Sequence, residues 1–130
     1  MNRKAVAAIV LQAGKILIAK KIKCDNSILS GKWHIPGETL EENEDDFDGL
    51  KRGMKEEAGI ELLAARFLAS HITSKGTTVG WYECIPLTVD IRPGSDVSEV
   101  KWVPKRDVAK FCDSESISLW PEKIREYFDL

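Results

Sequence analysis

Short apolar runs separated by polar breaks predict strands at the start of the chain. Residues 5 to 11 and 16 to 19 are β-prone, and Gln12-Ala13-Gly14-Lys15 between them has the length and chemistry of a hairpin. Residues 20 to 46 show no sustained period and contain Gly31, Pro36 and Gly37, which predicts a long loop with Trp33-His34-Ile35 as a brief strand. Loops of this length in compact domains usually carry function. The period then changes: Phe47, Leu50, Met54 and Ala58 recur at i, i+3, i+7 and i+11, one face of a helix from about Asp45 to Ala58. Asn43 is the expected N-cap, Glu44, Asp45 and Asp46 suit the positive end of the helix dipole, and Gly59 suits the position just past the end. On this helical wheel Glu56 and Glu57 fall near position 53 on the solvent side, away from the apolar stripe.

Beyond the helix, residues 62 to 72 and 77 to 87 predict two more strands joined near Ser74-Lys75-Gly76, with Pro86 at a strand end. Residues 90 to 96 form a loop, 97 to 103 are extended, 105 to 111 helical, and a last helix covers 119 to 128. Strands on both sides of a central helix, with more helix at the end, predict an α/β fold: a mixed β-sheet covered by helices. At 130 residues, a single domain over 1–130 is expected.

Composition narrows the class of partner. With 43% hydrophobic and 31% charged residues the chain is globular, and 19 Lys plus Arg against 21 Asp plus Glu leave a net charge of -2. No basic field points to a nucleic-acid polymer or an anionic membrane, so a small ligand is expected. Cys24, Cys84 and Cys112 are odd in number and form no CxxC pair, which predicts free thiols in a reducing cytoplasm, with Cys84 a small core residue. The basic start and seven-residue apolar run at 5 to 11 are too short for a secretory leader, and no stretch approaches the ~20 apolar residues of a membrane helix.

The candidate chemistry lies between Gly37 and Ile60. Glu56 and Glu57 on one helix can face one point, and hard cations such as Mg²⁺ take a few carboxylates while keeping waters for substrate phosphates. On charge alone, an acidic helix face is usually just solvated. Lys20, Lys21 and Lys23 stand where they can meet phosphates, although lysines ending a strand are commonly solvated. Trp33, Trp81, Tyr82 and Trp120 can offer a stacking face for a base, core packing being the commoner role for each. His34 and His71 form no metal spacing, and the chain has neither a GxSxG elbow nor a phosphate loop with its Lys.

The segment resembles the Nudix box, G-x5-E-x7-R-E-U-x-E-E-x-G-U, where U is a bulky aliphatic residue. Registered on Glu56-Glu57-Ala58-Gly59-Ile60, the signature's first Glu, Arg and first aliphatic position fall on Glu44, Arg52 and Met54, and Trp33-His34-Ile35-Pro36-Gly37 resembles the approach to the box. Two positions depart: the first Gly of the signature is Glu38, and the Glu after the Arg is Gly53. The resemblance implies a Nudix-type α/β/α sandwich and a Mg²⁺-dependent pyrophosphohydrolase, with Mn²⁺ as a substitute ion. The implied substrate is a small nucleotide, a nucleoside triphosphate giving monophosphate and pyrophosphate, and the implied form is a monomer or homodimer.

By the same resemblance, Glu56, Glu57 and the carbonyl of Gly37 hold the metal, and Arg52 orients carboxylates. Glu99 completes the catalytic set with Arg52 and Glu56, while Glu44 supports the helix start. Lys20, Lys23, Trp33 and Trp81 contact substrate. Gly53 takes away a principal carboxylate, so the alternative is a catalytically silent domain that binds nucleotide or metal. If Gly53 is the defect, Gly53→Glu is expected to raise kcat. Gly49 and Gly53 each cost a helix roughly 1 kcal/mol relative to Ala, which calls for a reason, either room for a ligand or an altered site.

Overall fold

The computed structural model of the chain describes residues 3–23 and 29–130. Cys24 lies outside the described residues. Strands β1 (Lys4–Gln12) and β2 (Lys15–Lys21) form the expected hairpin, followed by the short strands β3 (Trp33–His34) and β4 (Gly37–Thr39). Helix α1 (Asp46–Ala58) leads into β5 (Leu62–Ile72), β6 (Thr78–Pro86) and β7 (Val97–Pro104). A single 3-10 turn at Lys105–Asp107 and the short helices α2 (Val108–Phe111), α3 (Ser114–Ser118) and α4 (Glu122–Tyr127) complete the chain.

The seven strands make one mixed sheet in the order β3-β2-β1-β6-β5, with β4 attached to β1 and β7 to β2. Parallel pairing of β1 with β6 places β1 in the middle, which is why its apolar residues run continuously instead of alternating. Val6, Ala8 and Val10 face Leu50, Met54 and Ala58 of α1, and Ala7 and Ile9 join Trp81, Val108, Trp120, Ile124 and Phe128 on the opposite side. Helices therefore cover both faces, and the architecture is the α/β/α sandwich.

Several local expectations are corrected. The N-cap of α1 is Asp45, whose side chain accepts from the Asp48 backbone N–H, whereas Asn43 sits two residues too early at φ 65°. Gly59, at φ 70°, closes the helix as expected. The last helix starts at Glu122 because Pro121 sets its first turn, leaving Leu119 outside and 71% exposed. Helix α3 has no apolar period to announce it; its marker is the N-cap Asp113, which accepts from the backbone N–H of Ser116.

Only two rungs, Leu11 with Ile16 and Gln12 with Lys15, join β1 to β2. Beyond them the strands part company. β1 takes β4 as its neighbour over residues 5 to 7, and β2 takes β3 over residues 19 and 20. The stretch from Trp33 to Thr39 is held in that fork, pinned by the Ala8 N–H donating to the Pro36 carbonyl at 2.8 Å. The expected long loop is thus partly strand, and the fork opens the functional cleft.

Candidate functional site

The fork holds a cleft of ≈ 410 Å³, in the range of small-molecule sites, lined among others by Lys21, His34, Glu38, Glu57, Trp81 and Asp96. Five separate parts of the fold supply these side chains: β2, the β3–β4 segment, α1, β6 and the residues just before β7.

Glu57 is the central oddity. It is only 5% exposed, and its Oε2 has no hydrogen-bond partner. A buried carboxylate without partners is costly, and such groups mark metal or proton chemistry more often than architecture. Its pKa is pushed up to about 8, first by burial and then by the carboxylates of Glu38 and Asp96, with Lys21 pulling the other way. This placement corrects the helical-wheel expectation of a solvent-facing Glu57. The buried surface of α1 is broad, including Gly49, Gly53 and Glu57 beside Leu50, Met54 and Ala58, because the β4 segment packs on the flank of the helix that periodicity left free. Glu56 does remain outside, with its side chain 48% exposed.

Arg52 organises the rim. Its Nε and Nη2 donate to the two Glu44 oxygens, both at 2.9 Å, and Nη2 also donates to the Thr39 carbonyl at 3.0 Å. Such bidentate pairs are directional and strong. Around the same guanidinium stand Glu56 at 3.4 Å, Glu41 at 3.5 Å and Glu38 at 3.7 Å. Glu44 is held down to about 2 by these Arg52 hydrogen bonds and then by the Glu41 N–H, and the Arg52 pKa rises in response. The Glu38 carboxyl is raised, by burial first, against the pull of Arg52.

On the opposite wall Lys21 donates to Asp96, which lowers the Asp96 pKa and fixes the segment before β7 to the end of β2. His34 donates from Nδ1 to the Ile35 carbonyl at 3.0 Å, and burial lowers its pKa. Trp81 is 5% exposed and donates from Nε1 to His71 Nδ1 at 3.2 Å, so its ring forms a fixed apolar wall.

Of the residues singled out by sequence, Lys21, Gly37, Glu57 and Trp81 line the cleft, while Arg52 and Glu56 stand at its rim. Four lie elsewhere. Glu99 is paired with Lys20 at 3.4 Å, its side chain 59% exposed, and neither lines the cleft. Trp33 meets the edge of Phe111 and lies under the Lys101 ammonium, and Lys23 is outside the lining. Lys20 and Lys21 are neighbours on β2 and so project to opposite sides, Lys21 into the cleft with Asp96 and Lys20 outside with Glu99, and the β2–β7 register shifts between them. Tyr82 donates to Asp46, which also pairs with Lys4 at 2.7 Å, and this fixes the start of α1 to β1 and β6.

Sequence reasoning missed Asp96 and Glu38. Asp96 carries no local signal, because it sits in the segment before β7 and reaches the cleft through its tertiary pairing with Lys21. Glu38 was visible as a departure from the signature, but a departure reads as a loss until its side chain is placed.

Divalent metal fits this donor set. Hard oxygen donors converge on the cleft, and the orphaned Glu57 Oε2 lacks a partner that a cation would supply. Among the described residues no three His, Cys, Asp or Glu side chains close into a ready cage. An open arrangement of this kind suits Mg²⁺, which retains waters and substrate phosphates in its shell.

The family model for the NUDIX domain matches residues 1–124. The chain is 37% identical over 68 residues to the CTP pyrophosphohydrolase of Escherichia coli (strain K12), a match covering 52% of this chain and 49% of that protein. It is 28% identical over 109 residues to Nudix hydrolase 2 of Arabidopsis thaliana, covering 79% of this chain and 39% of the relative. The chain therefore spans half or less of the length of these curated relatives. Among solved structures, a MutT from work on Aliivibrio salmonicida and Vibrio cholerae superposes with a TM-score of 0.72 at 17% identity, covering 98% of this chain and 97% of that one. That likeness is one of fold.

Proposed function

Because the chain belongs to the Nudix family of hydrolases, whose members act on phosphoanhydride bonds, we propose that it is a Mg²⁺-dependent pyrophosphohydrolase of a small nucleotide. The substrate in this reading is a nucleoside triphosphate, cleaved to monophosphate and pyrophosphate, and a cleft of ≈ 410 Å³ has the size of a small-molecule site. The observation that carries this reading is Glu57: a carboxylate 5% exposed, with one oxygen unpartnered, in an open cleft beside Glu38 and Asp96.

In this reading Glu57, Glu56 and the Gly37 carbonyl hold the cation. When bound, the metal neutralises phosphate charge and lowers the pKa of coordinated water. Arg52 keeps the rim carboxylates in place through its bonds to Glu44 and the Thr39 carbonyl. Water attacks a phosphorus of the anhydride, a new O–P bond forms as the anhydride P–O bond breaks, and the water proton passes to a cleft carboxylate. Asp96 takes the place in this set that sequence gave to Glu99, and of Lys20, Lys21 and Lys23 it is Lys21 that faces the phosphates. The buried Trp81 face bounds the base side of the cleft.

No described helix is long and apolar enough to cross a membrane. Cys84 and Cys112 are buried free thiols whose pKa values burial pushes up to about 12, as suits small core residues and not nucleophiles.

The test is pyrophosphate and phosphate release from a panel of nucleoside triphosphates and nucleotide sugars with Mg²⁺, beside an EDTA control. Release of pyrophosphate that EDTA abolishes is expected. Folded protein that binds a nucleotide yet releases nothing across the panel would leave a silent binding domain instead.

A further inference from the structure

Gly53 is the position at which the family signature has a carboxylate and this chain has none, and Glu38 is the position at which the signature has Gly and this chain has a carboxylate. The structure brings the two departures into contact. A Cβ placed on Gly53 would stand 2.9 Å from Glu38 Cβ, 3.3 Å from its Cγ and 3.4 Å from its Oε2. Real Cβ atoms do not approach a neighbour's Cβ at 2.9 Å, so the Glu38 side chain occupies the space a side chain at 53 would need. Gly53 is open because Glu38 fills it.

The filling is directional. Glu38 is held in the β1–β4 ladder opposite Val6, so its backbone is set by the sheet. From there its carboxylate lies over the flank of α1, with Oε1 3.7 Å from Arg52 Nη1 and the side chain lining the same cleft as Glu57 and Asp96. Glu56 stands 3.4 Å from that same Arg52 nitrogen. Glu38 and Glu56 therefore share one end of Arg52, and Glu38 also raises the pKa of Glu57 across the cleft, so the three carboxylates gather on one stretch of α1. Independently, Glu57 is 95% removed from solvent by its 5% exposure, and its unpartnered Oε2 calls for a cation at this spot. Gly49 repeats the packing without the charge: a Cβ there would lie 2.1 Å from Leu40 Cδ2, so both helix glycines seat side chains from the strand β4 region.

We propose that positions 38 and 53 have exchanged roles, so that Glu38 on β4 supplies across the cleft the metal-binding carboxylate that α1 lacks at Gly53. This assignment rests on the metal-dependent reading above. It makes Gly53 a condition for the site and not a defect in it. The expectation that Gly53→Glu raises kcat is accordingly reversed: the added side chain meets Glu38 before it meets a metal.

The experiment is Mn²⁺ binding to the nucleotide-free full chain, by electron paramagnetic resonance and calorimetry, with Mg²⁺-dependent turnover measured alongside. Four proteins are compared: wild type, Glu38→Gln, Gly53→Glu and the double variant Glu38→Gly with Gly53→Glu. Melting in EDTA establishes that each is folded. Glu38→Gln, nearly isosteric and uncharged, should weaken Mn²⁺ binding by about tenfold or more, a loss of at least the size seen when groups supporting a metal site are removed. Gly53→Glu alone should bind Mn²⁺ no tighter than wild type and melt lower. The double variant should return to within about threefold of wild-type affinity, the non-additivity expected of two residues sharing one role. Wild-type Mn²⁺ binding with Glu38→Gln binding equally well would overturn the exchange alone, as would a double variant no better than Glu38→Gln. A wild type that binds no Mn²⁺ would overturn the metal-dependent reading and the exchange together.

Discussion

Glu57 poses a question that the other charged residues of α1 do not, since its neighbour Glu56 can simply face water. At neutral pH a carboxyl this buried favours its protonated form, with the pKa pushed up to about 8 by burial first and then by Glu38 and Asp96. Residue spacing correctly brought Glu57 to position 53 and the box motif named it as a ligand, but spacing alone put it in solvent. What was illegible is the width of the buried stripe, which depends on β4 packing against Gly49 and Gly53 from forty or so ångströms of chain contour away, a contact that no local period records. Under the proposed function, Glu57→Gln should lower kcat by about 10² or more, as for loss of a metal or proton-transfer group. Far-ultraviolet circular dichroism should be unchanged. Steady-state assays with saturating Mg²⁺ decide it: full activity in Glu57→Gln would remove Glu57 from the metal set.

At the scale of the element, α1 was the most legible part of the chain because its apolar period, first-turn acids and closing glycine agree. Only its cap was misplaced, by two residues, since Asn43 and Asp45 are both good cap types and backbone geometry chooses between them. Asp45→Ala removes the side chain that accepts from the Asp48 N–H and should cost about 1 kcal/mol in urea unfolding. Asn43→Gly should be neutral or slightly stabilising, because φ at Asn43 is already 65°. Equal losses in the two variants would contradict the assigned cap.

The second support of this helix is the clip from Arg52 to Glu44, and it titrates. The Glu44 carboxyl lies at about 2 in the folded chain, held there first by Arg52 and then by the Glu41 N–H, with the Glu41 carboxylate facing the same guanidinium. A depressed acid pKa contributes stability above its unfolded value of about 4.3, and that contribution is lost as pH falls towards 2. Unfolding midpoints should therefore drop more steeply between pH 5 and 2 in wild type than in Glu44→Gln, the two curves converging at the acid end. Parallel curves would show that the clip contributes nothing to the folded state.

At the scale of the molecule, the sheet separates two supports for one cleft. The helix α1 side carries the carboxylates and packs Leu50, Met54 and Ala58 on Val6, Ala8 and Val10 of the sheet. The other side carries the Trp81 wall, braced edge-on by Trp120 at 5.5 Å between ring centres, and Trp120 in turn leans on Phe128 at 5.5 Å. The mixed sheet with helices on both faces could be read from the order of apolar runs. The fork between β1 and β2 could not, because it depends on which distant strands capture each edge. Two supports on opposite faces should fail separately. Trp120→Ala should destabilise the fold by about 3–5 kcal/mol, the usual loss for a buried aromatic. In the fraction that remains folded, it should raise KM for the nucleotide several-fold by releasing the Trp81 ring. Because Trp120 touches no part of α1, Mn²⁺ affinity of the same nucleotide-free variant should stay within about twofold of wild type, as expected for sites with no shared partners. A parallel fall in Mn²⁺ affinity and nucleotide binding would mean that strain crosses the sheet, and that the carboxylate side depends on the aromatic side for its geometry.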